Sequence, residues 1–388
     1  MIPYGKQNIS QEDIDSVIEV MNSEFLTQGP ITPKFEKELS NYCNSIYSVA
    51  VVNATSALHI ACLALDVKRG DIVWTSPISF VASSNAALYC DADVDFVDID
   101  INTYNMSVDS LEEKLIQSEK LGKLPKVVIP VHLAGQSCDM RKIFELSQKF
   151  NFKIIEDASH AIGAEYLNEK VGSCKYSDIT VFSFHPVKII TTCEGGACMT
   201  NDKSIFDKLY RLRSHGIVRN QEDMENISHG SWYYEQIDLG FNYRLNDLQS
   251  ALGLSQLKRI DKFIEQRHEV SNYYFENLKE FDNIILPYQS EHTYSSFHLF
   301  IIRVKGNNSS SRKNLFDKLR NNGIFVNIHY IPIYKHPYYS KRGYKNLENA
   351  EKYYEQAISI PIYPNLKKED LEKIKNVINS NQNFQTLF

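Results

Sequence analysis

One lysine of the sequence stands in an apolar setting that would change its chemistry. Lys188 follows a strand-like run at 178–185, has apolar neighbours, and precedes a paired-glycine turn at Gly195 and Gly196. A surface lysine is normally a solvated charge, but burial lowers the pKa of the amine and makes it a nucleophile able to form a Schiff base. Lys188 is therefore a candidate catalytic residue.

A carboxylate and a hydroxyl are predicted to lie near that lysine. Asp157 ends a buried strand, where a charge needs a positive partner or a ligand to coordinate. Ligands bind at the carboxyl ends of strands in open parallel sheets, and Asp157, Ser183 and Lys188 all follow such ends. An aspartate facing a ring nitrogen, with a lysine forming an imine to the same ring, is the signature of a pyridoxal phosphate site.

A phosphate cradle is predicted where a short strand leads into a helix. The strand is followed by a turn at Asn53 and Ala54, and the helix opens at Thr55 and Ser56. Free amide groups and the positive end of the helix dipole favour an anion there, and the hydroxyls of Thr55, Ser56 and Ser183 would add donors. The alternative is that Thr55 or Ser56 simply caps the helix.

The segments that position these residues have the pattern of an α/β domain. Runs of Val and Ile without clean polar alternation are typical of a parallel sheet that is buried on both faces. Residues 55–65 and 140–150 are long enough for crossover helices, and a first helix is predicted after Ser10. The apolar face of that helix would carry Ile14, Val17, Ile18 and Met21. The strand-like runs lie at 48–53, 71–77, 94–100, 126–133, 153–159 and 178–185.

The length of 388 residues favours two domains. We expect an N-terminal arm and a cofactor-binding α/β domain at 1–245, followed by linking helices and a small C-terminal α+β domain at 246–388. In the second part, the runs at 298–304 and 324–333 and a helix around 314–321 are typical of an antiparallel sheet with a helix.

Composition and missing motifs argue against several classes of protein. The 48 acidic and 42 basic residues give a net charge of -6, which does not favour a nucleic-acid partner. No apolar run is long enough to span a membrane. The seven cysteines form no CxxC pair, which indicates free thiols in a reducing, cytoplasmic setting and no metal site. Because GxG, P-loop and HExxH motifs are also missing, neither a dinucleotide site nor these phosphate and zinc sites are expected.

Eight segments, in order along the chain, resemble a known family. Between Tyr4 and about Pro364, the sequence resembles the fold-type I pyridoxal phosphate enzymes and, among them, the DegT/DnrJ/EryC1/StrS sugar aminotransferases. The resemblance implies pyridoxal 5'-phosphate as cofactor and a mostly parallel sheet domain with a smaller α+β C-terminal domain. The segments lie at 55–65, 75–89, 127–140, 156–166, 183–196, 213–217, 240–257 and 325–334.

The resemblance also implies roles for individual residues. Lys188 matches the Schiff-base lysine and Asp157 the partner of the pyridine nitrogen, so both would be catalytic. His160 matches a position near the phenolic oxygen of the cofactor that is often Gln in relatives, and Phe80 matches the aromatic residue that stacks on the ring. Asn242 matches an asparagine that reaches the phosphate in the neighbouring subunit, which implies a homodimer with shared active sites. The other phosphate contacts would be Ala54, Thr55 and Ser183, and the substrate-binding residues would be Tyr4, Glu24, Phe25, Leu26, Thr27, Ile328, His329, Tyr330 and Ile331.

Within the family, the sequence most resembles the aminotransferases of pseudaminic acid synthesis. This implies a UDP-linked 4-keto-6-deoxy-N-acetylhexosamine as substrate and glutamate as amino donor. Two alternatives stay open: an aminotransferase for another nucleotide-linked keto sugar, such as a dTDP-4-keto-6-deoxyhexose, and a non-catalytic regulator with the same fold. Cys193 departs from the Gly or Ala usual in relatives. The stretch 219–235 is either a loop over a partner's active site or ordinary packing.

Overall fold

The computed structural model of the protein describes residues 1–306 and 309–379. The predicted domain boundary at 245/246 stays a prediction, and the part of the second domain beyond residue 379 lies outside the described residues. None of the described helices combines the length and the apolar character that crossing a membrane requires. The helices are α1 Gln11–Met21, α2 Ile31–Cys43, α3 Ala54–Ala64, α4 Ala82–Tyr89, α5 Val108–Lys120, α6 Met140–Phe150, α7 Lys203–Leu212, α8 Asp247–Leu257, α9 Ile260–Leu278, α10 Ser309–Asn321, α11 Pro337–Ser340, α12 Glu348–Gln356 and α13 Lys368–Asn379. The strands are β1 Tyr47–Val51, β2 Ile72–Thr75, β3 Asp93–Phe96, β4 Val127–Ile129, β5 Lys153–Asp157, β6 Glu165–Tyr166, β7 Glu169–Lys170, β8 Ile179–Ser183, β9 Gly196–Thr200, β10 Ile217–Val218, β11 Glu235–Gln236, β12 Ile284–Ile285, β13 Thr293–Tyr294, β14 Phe300–Val304 and β15 Ala357–Ile360.

A seven-stranded sheet, ordered β1-β9-β8-β5-β4-β2-β3, forms the centre of the N-terminal part. The pairings β2–β3, β2–β4, β4–β5 and β5–β8 are parallel, while β9 runs antiparallel to both β1 and β8. β4 and β8 are buried along their whole length, as expected for Val and Ile runs that are covered on both faces. The six predicted strand runs and the mostly parallel α/β architecture are confirmed.

The structure corrects the predicted glycine turn after Lys188. The bend lies at Cys193 and Glu194, and Gly196 is already the first residue of β9. A Cβ at Gly196 would lie 2.7 Å from the backbone nitrogen of Ala54. Glycine is therefore required there for the close approach of β9 to the start of α3, whereas the positive φ of 66° falls on Cys193.

A second sheet, with the order β12-β14-β15, is antiparallel and lies in the C-terminal part. Leu315 of α10 and Ile374 of α13 belong to the apolar core beneath it. The predicted antiparallel sheet is confirmed, but the segment 324–333 is not one of its strands. That segment makes only isolated bridges, at Ile324 and Asn327. From Asn327 onward the chain leaves the sheet and lines a cavity. β15, which the sequence pattern did not single out, supplies the third strand.

The first helix begins after Ser10, as predicted, but its apolar face is left at the surface. Ser10 and Asp13 form a capping box, and the buried Asp13 carboxylate faces α8, where it accepts hydrogen bonds from two side chains. Ile14, Ile18 and Met21 are 44%, 48% and 63% exposed. We call this row of three residues the α1 stripe.

Candidate active site

A cavity of about 640 Å³ opens where β5 and β8 end at the carboxyl edge of the sheet. Its walls come from distant parts of the chain: the N-terminal arm, the start of α3, the segments after β2, β4, β5 and β8, His298, and residues 327–330. Eleven of the residues predicted for the site line it: Tyr4, Ala54, Thr55, Phe80, Asp157, His160, Ser183, Lys188, Ile328, His329 and Tyr330.

Lys188 lies in the loop that joins β8 to β9 and reaches the wall of the cavity. Its backbone amide donates to the carbonyl of His185 at 2.9 Å, and its Nζ has no hydrogen-bond or ion-pair partner within residues 1–306 and 309–379. Burial lowers the pKa of Lys188 to about 8, although the negative charge of Asp157 acts in the opposite direction. A neutral, nucleophilic amine is therefore available at mildly alkaline pH, as Schiff-base formation requires.

Asp157 is the last residue of β5 and is buried. Its Oδ2 accepts a hydrogen bond from the Ser83 hydroxyl at 2.6 Å, and its Oδ1 accepts one from the backbone amide of Ser159 at 3.2 Å. These two donors fix the orientation of the carboxylate, so Asp157 is held in place in the wall of the cavity. A carboxylate is the group needed opposite a protonated ring nitrogen.

The start of α3 forms an anion site on the same cavity. Asn53 caps the helix, because its side chain accepts a hydrogen bond from the backbone amide of Ser56 at 2.8 Å. The alternative interpretation, in which Thr55 or Ser56 is the cap, is therefore wrong. The backbone amides of Ala54 and Thr55 have no hydrogen-bond partner among the described residues, and the Ser183 hydroxyl lines the same cavity. These donors at the positive end of a helix suit a phosphate.

Three histidines, His160, His298 and His329, crowd one wall of the cavity. The rings of His160 and His298 lie 4.4 Å apart. Burial and, next, the positive charge of Lys188 hold the pKa of His160 and of His298 well below the usual range. The same two causes lower the pKa of His329 to about 3. All three rings are therefore neutral at physiological pH and act as hydrogen-bonding groups rather than as cations.

Aromatic rings form the mouth of the cavity. The ring centre of Tyr4 lies 5.3 Å from that of His329, and the ring centre of Phe80 lies 6.2 Å from that of Tyr330. Phe80 remains 59% exposed, so one face of its ring is free to stack on a planar ligand. Tyr4 is held in place from behind, because its carbonyl accepts from the amide of Ile362 at 3.1 Å.

Six predicted site residues do not line this cavity of their own chain. Asn242 is exposed, and its backbone bridges to Ser214. Phe25 and Leu26 are each 51% exposed, and neither borders the cavity. The six are Glu24, Phe25, Leu26, Thr27, Asn242 and Ile331.

The stretch 219–235 runs from the end of β10 to the first residue of β11, and these two strands pair as a short hairpin. Trp232 is 70% exposed and Tyr234 is 50% exposed. Their ring contacts are made with His229 and Arg219 of the same stretch. Packing in the core is therefore the weaker of the two alternatives, while a role over a partner's active site stays a prediction.

Three residues of the site were not recognised from the sequence: Asn53 as the helix cap, Ser83 as a donor to Asp157, and His298. Asn53 had a usable signal, because asparagine before a helical segment is a strong cap former. Ser83 and His298 had none, since both reach the site through the packing of segments that are far apart in sequence. The Nδ1 of His298 is buried and has no hydrogen-bond partner among the described residues.

A model of the DegT/DnrJ/EryC1/StrS aminotransferase family matches residues 7–379. The chain belongs to this family. Aminotransferases of the family depend on pyridoxal phosphate, which confirms both the predicted cofactor and the predicted class of enzyme. The residues present fit the cofactor: a half-buried lysine without a partner, a buried carboxylate, and free amides at a helix start all border one cavity.

Individual relatives resemble the chain over its whole length. The UDP-4-amino-4,6-dideoxy-N-acetyl-beta-L-altrosamine transaminase of Campylobacter jejuni is 39% identical over 383 residues, which cover 97% of this chain and 96% of that protein. The solved structure of PseC from Helicobacter pylori, an aminotransferase involved in the biosynthesis of pseudoaminic acid, superposes with a TM-score of 0.90 at 31% identity and covers 100% of both chains. The PLP-form of Spr1654, a putative sugar aminotransferase from Streptococcus pneumoniae, has a TM-score of 0.88 at 27% identity and covers 99% of both chains.

Proposed function

We propose that this aminotransferase moves an amino group from glutamate to C4 of a UDP-linked 4-keto-6-deoxy-N-acetylhexosamine. The products are UDP-4-amino-4,6-dideoxy-N-acetyl-beta-L-altrosamine and 2-oxoglutarate, so the enzyme works in pseudaminic acid synthesis. The observation that carries the proposal is the meeting of Lys188 and Asp157 in one cavity, in a chain whose relatives of the same length include the altrosamine transaminase of Campylobacter jejuni.

The residues of the cavity divide the work of holding the cofactor. When bound, pyridoxal phosphate supplies an aldehyde carbon that carries the amino group and a ring that accepts electrons. The amides of Ala54 and Thr55 and the hydroxyl of Ser183 hold the phosphate. Asp157 keeps a positive charge at the ring nitrogen, and Phe80 covers the ring.

Lys188 carries out the proton transfers. Its neutral amine removes the proton from the α-carbon of glutamate, and in the second half-reaction it delivers a proton to C4 of the sugar. Each transfer needs an amine whose pKa is near the working pH, and burial lowers the pKa of Lys188 to about 8. The wall formed by Tyr4, Ile328, His329 and Tyr330 faces the sugar nucleotide.

A homodimer completes each site in this proposal. The α1 stripe, together with Phe25 and Leu26, leaves large apolar side chains at the surface, as expected of an interface between copies of the chain. Asn242 is exposed and away from the cavity of its own chain, which suits a residue that binds the phosphate of the neighbouring subunit. The seven free thiols, six of them buried, suit the reducing cytoplasm.

The proposed reaction is tested with purified enzyme, pyridoxal phosphate, glutamate and a panel of UDP-linked and dTDP-linked 4-keto-6-deoxy sugars. Mass spectrometry and NMR identify the product, and Lys188→Ala serves as the inactive control. Preferred amination of a dTDP sugar would replace the proposed substrate with another of the same class. A protein that aminates no sugar and develops no near-visible absorption with the cofactor would be the non-catalytic regulator.

A further inference from the structure

The hydrogen bonds around His160 fix which of its ring nitrogens carries the proton. The backbone amide of Ala134 donates to Nδ1 at 3.3 Å. An amide nitrogen can only donate, so Nδ1 must be an acceptor without a proton. Because the buried ring is neutral, its single proton is on Nε2.

That proton determines the direction of a second hydrogen bond. Nε2 of His160 lies 3.2 Å from the hydroxyl oxygen of Tyr330. A protonated Nε2 donates, so the Tyr330 oxygen accepts and its own proton points elsewhere. No described residue accepts a hydrogen bond from this hydroxyl, and Tyr330 lines the cavity.

We infer that Tyr330 donates a hydrogen bond to an oxygen of the ligand in the cavity, and that His160 is the positioning residue that gives this hydrogen bond its direction. The inference rests on the proposed function, since it assigns a donor to the site where sugar nucleotide and cofactor meet. The acceptor is an uncharged or phenolate oxygen, either on the sugar or on the pyridine ring.

A glutamine in place of His160 would keep the same chain of bonds. A glutamine side chain has a carbonyl oxygen that can accept from the Ala134 amide and an amino group that can donate to the Tyr330 oxygen. It would leave the Tyr330 proton directed into the cavity. A methionine has about the size of the histidine but neither accepts strongly nor donates, so the Tyr330 hydroxyl would be free to turn.

The proton position can be measured without substrate or cofactor. Protein labelled with ¹⁵N in its histidines shows, by long-range ¹H–¹⁵N NMR, which nitrogen of each ring is protonated, and His160→Gln identifies the signal of His160. We expect a neutral ring with the proton on Nε2. A proton on Nδ1, or a ring protonated on both nitrogens at neutral pH, would overturn the inference.

The direction of the Tyr330 hydroxyl is measured through ligand affinity. Tyr330→Phe and His160→Met should each weaken one binding step by about three- to tenfold, the effect of losing one neutral hydrogen bond, while His160→Gln should match the wild type. Titration of the cofactor-free protein with pyridoxal phosphate reports an acceptor on the cofactor. The KM for the UDP-linked keto sugar, compared with kcat, reports an acceptor on the sugar.

A double variant separates one relay from two independent effects. Both changes remove the same donated hydrogen bond. The double variant His160→Met/Tyr330→Phe should therefore bind the ligand no more weakly than either single variant. Three results would each overturn the inference. They are losses of affinity that add in the double variant, an unchanged affinity in Tyr330→Phe, and an affinity of His160→Gln as low as that of His160→Met. Circular dichroism confirms that each variant is folded. If the wild-type enzyme does not aminate the UDP sugar, only the proposed function is wrong, because the NMR measurement and the cofactor titrations do not use that sugar. The KM is then measured with the keto sugar that the panel identifies.

Discussion

The hydroxyl of Ser83 donates a hydrogen bond to Oδ2 of Asp157 at 2.6 Å, and both side chains are buried. The Ser79 hydroxyl lies 2.6 Å from that of Ser83. A serine has one proton to give, and since the carboxylate takes that of Ser83, Ser79 must donate to Ser83. Two hydroxyls, that of Ser79 before α4 and that of Ser83 within it, are thus lined up behind the Asp157 carboxylate.

Ser83→Ala should weaken catalysis and cofactor binding without unfolding the protein. It removes a hydrogen bond to a buried charged group, an interaction worth about 1.5–3 kcal/mol, so we expect kcat or the affinity for pyridoxal phosphate to fall about tenfold or more. Ser83→Thr keeps the hydroxyl and should retain activity. Ser84→Ala is the matched control, because its equally buried hydroxyl donates to Tyr339 instead. Equal losses in both alanine variants would mean that Ser83 has only a packing role.

The rate of cofactor incorporation should depend on pH through Lys188. Burial lowers the pKa of this lysine to about 8, and only the neutral amine attacks an aldehyde. The rate at which cofactor-free enzyme develops its near-visible absorption should therefore rise up to about pH 8 and then level off. The charge of Asp157 raises the pKa, so Asp157→Asn should shift the curve to lower pH. A rate that still climbs through pH 10 would show an unperturbed lysine.

Two inactive variants should restore activity when they are combined. Lys188→Ala removes the amine of one site, and Asn242→Ala removes the proposed phosphate contact of the neighbouring site. If Asn242 acts across the dimer, a mixed dimer has one site with both residues intact, so unfolding and refolding the variants together should recover up to about a quarter of wild-type activity. If Asn242 instead served the site of its own chain, the refolded mixture would be no more active than the Asn242→Ala enzyme that it contains.

A charge on the α1 stripe should prevent the dimer from forming. Ile18 is 48% exposed in the isolated chain, and a glutamate there would have to be buried without a partner at the proposed interface. We expect Ile18→Glu to elute as a monomer in size exclusion with light scattering and to lose activity. Leu121→Glu is the control, since Leu121 is 71% exposed at the end of α5 and outside the stripe. A dimeric, active Ile18→Glu enzyme would place the interface elsewhere.

Cys193→Gly should stabilise the fold. Cys193 is exposed and has a φ of 66°, a conformation that costs a residue with a Cβ about 1–3 kcal/mol, part of which is offset by the larger backbone entropy of glycine in the unfolded chain. We expect a gain of about 1 kcal/mol in the free energy of unfolding, measured by denaturant titration at fixed protein concentration. Cys193→Ala removes the thiol but keeps the Cβ, and should change little. A gain in the alanine variant equal to that of glycine would assign the effect to the thiol.

Local patterns were sufficient to predict the sheet and the core of the site. The Val and Ile runs predict strands, because a strand that is covered on both faces of a sheet needs apolar residues at successive positions. The ends of β5 and β8 then place Asp157 and Lys188 at the same edge of the sheet. The glycine turn failed for a physical reason. Gly196 is needed for the approach of two elements, whereas the position that bends has a cysteine.

Tertiary packing decided the rest. No local pattern shows that α4 places Ser83 against β5, or that His298 faces His160. The helix periodicity of α1 shows an apolar face but not what covers it. The segment 324–333 has the composition of a strand, but it pairs with β15 only at the isolated bridge between Asn327 and Ser359. After that bridge the chain turns towards the cavity and lines it.

The distribution of the cysteines has a practical consequence. Six of the seven are buried, and the exposed one, Cys193, stands next to Glu194 on the rim of the cavity. A maleimide dye added to the unmodified protein should therefore attach at a single place, without any engineered thiol. Its emission would report the arrival and departure of ligands in real time, and the bend that carries it would become a built-in sensor of site occupancy.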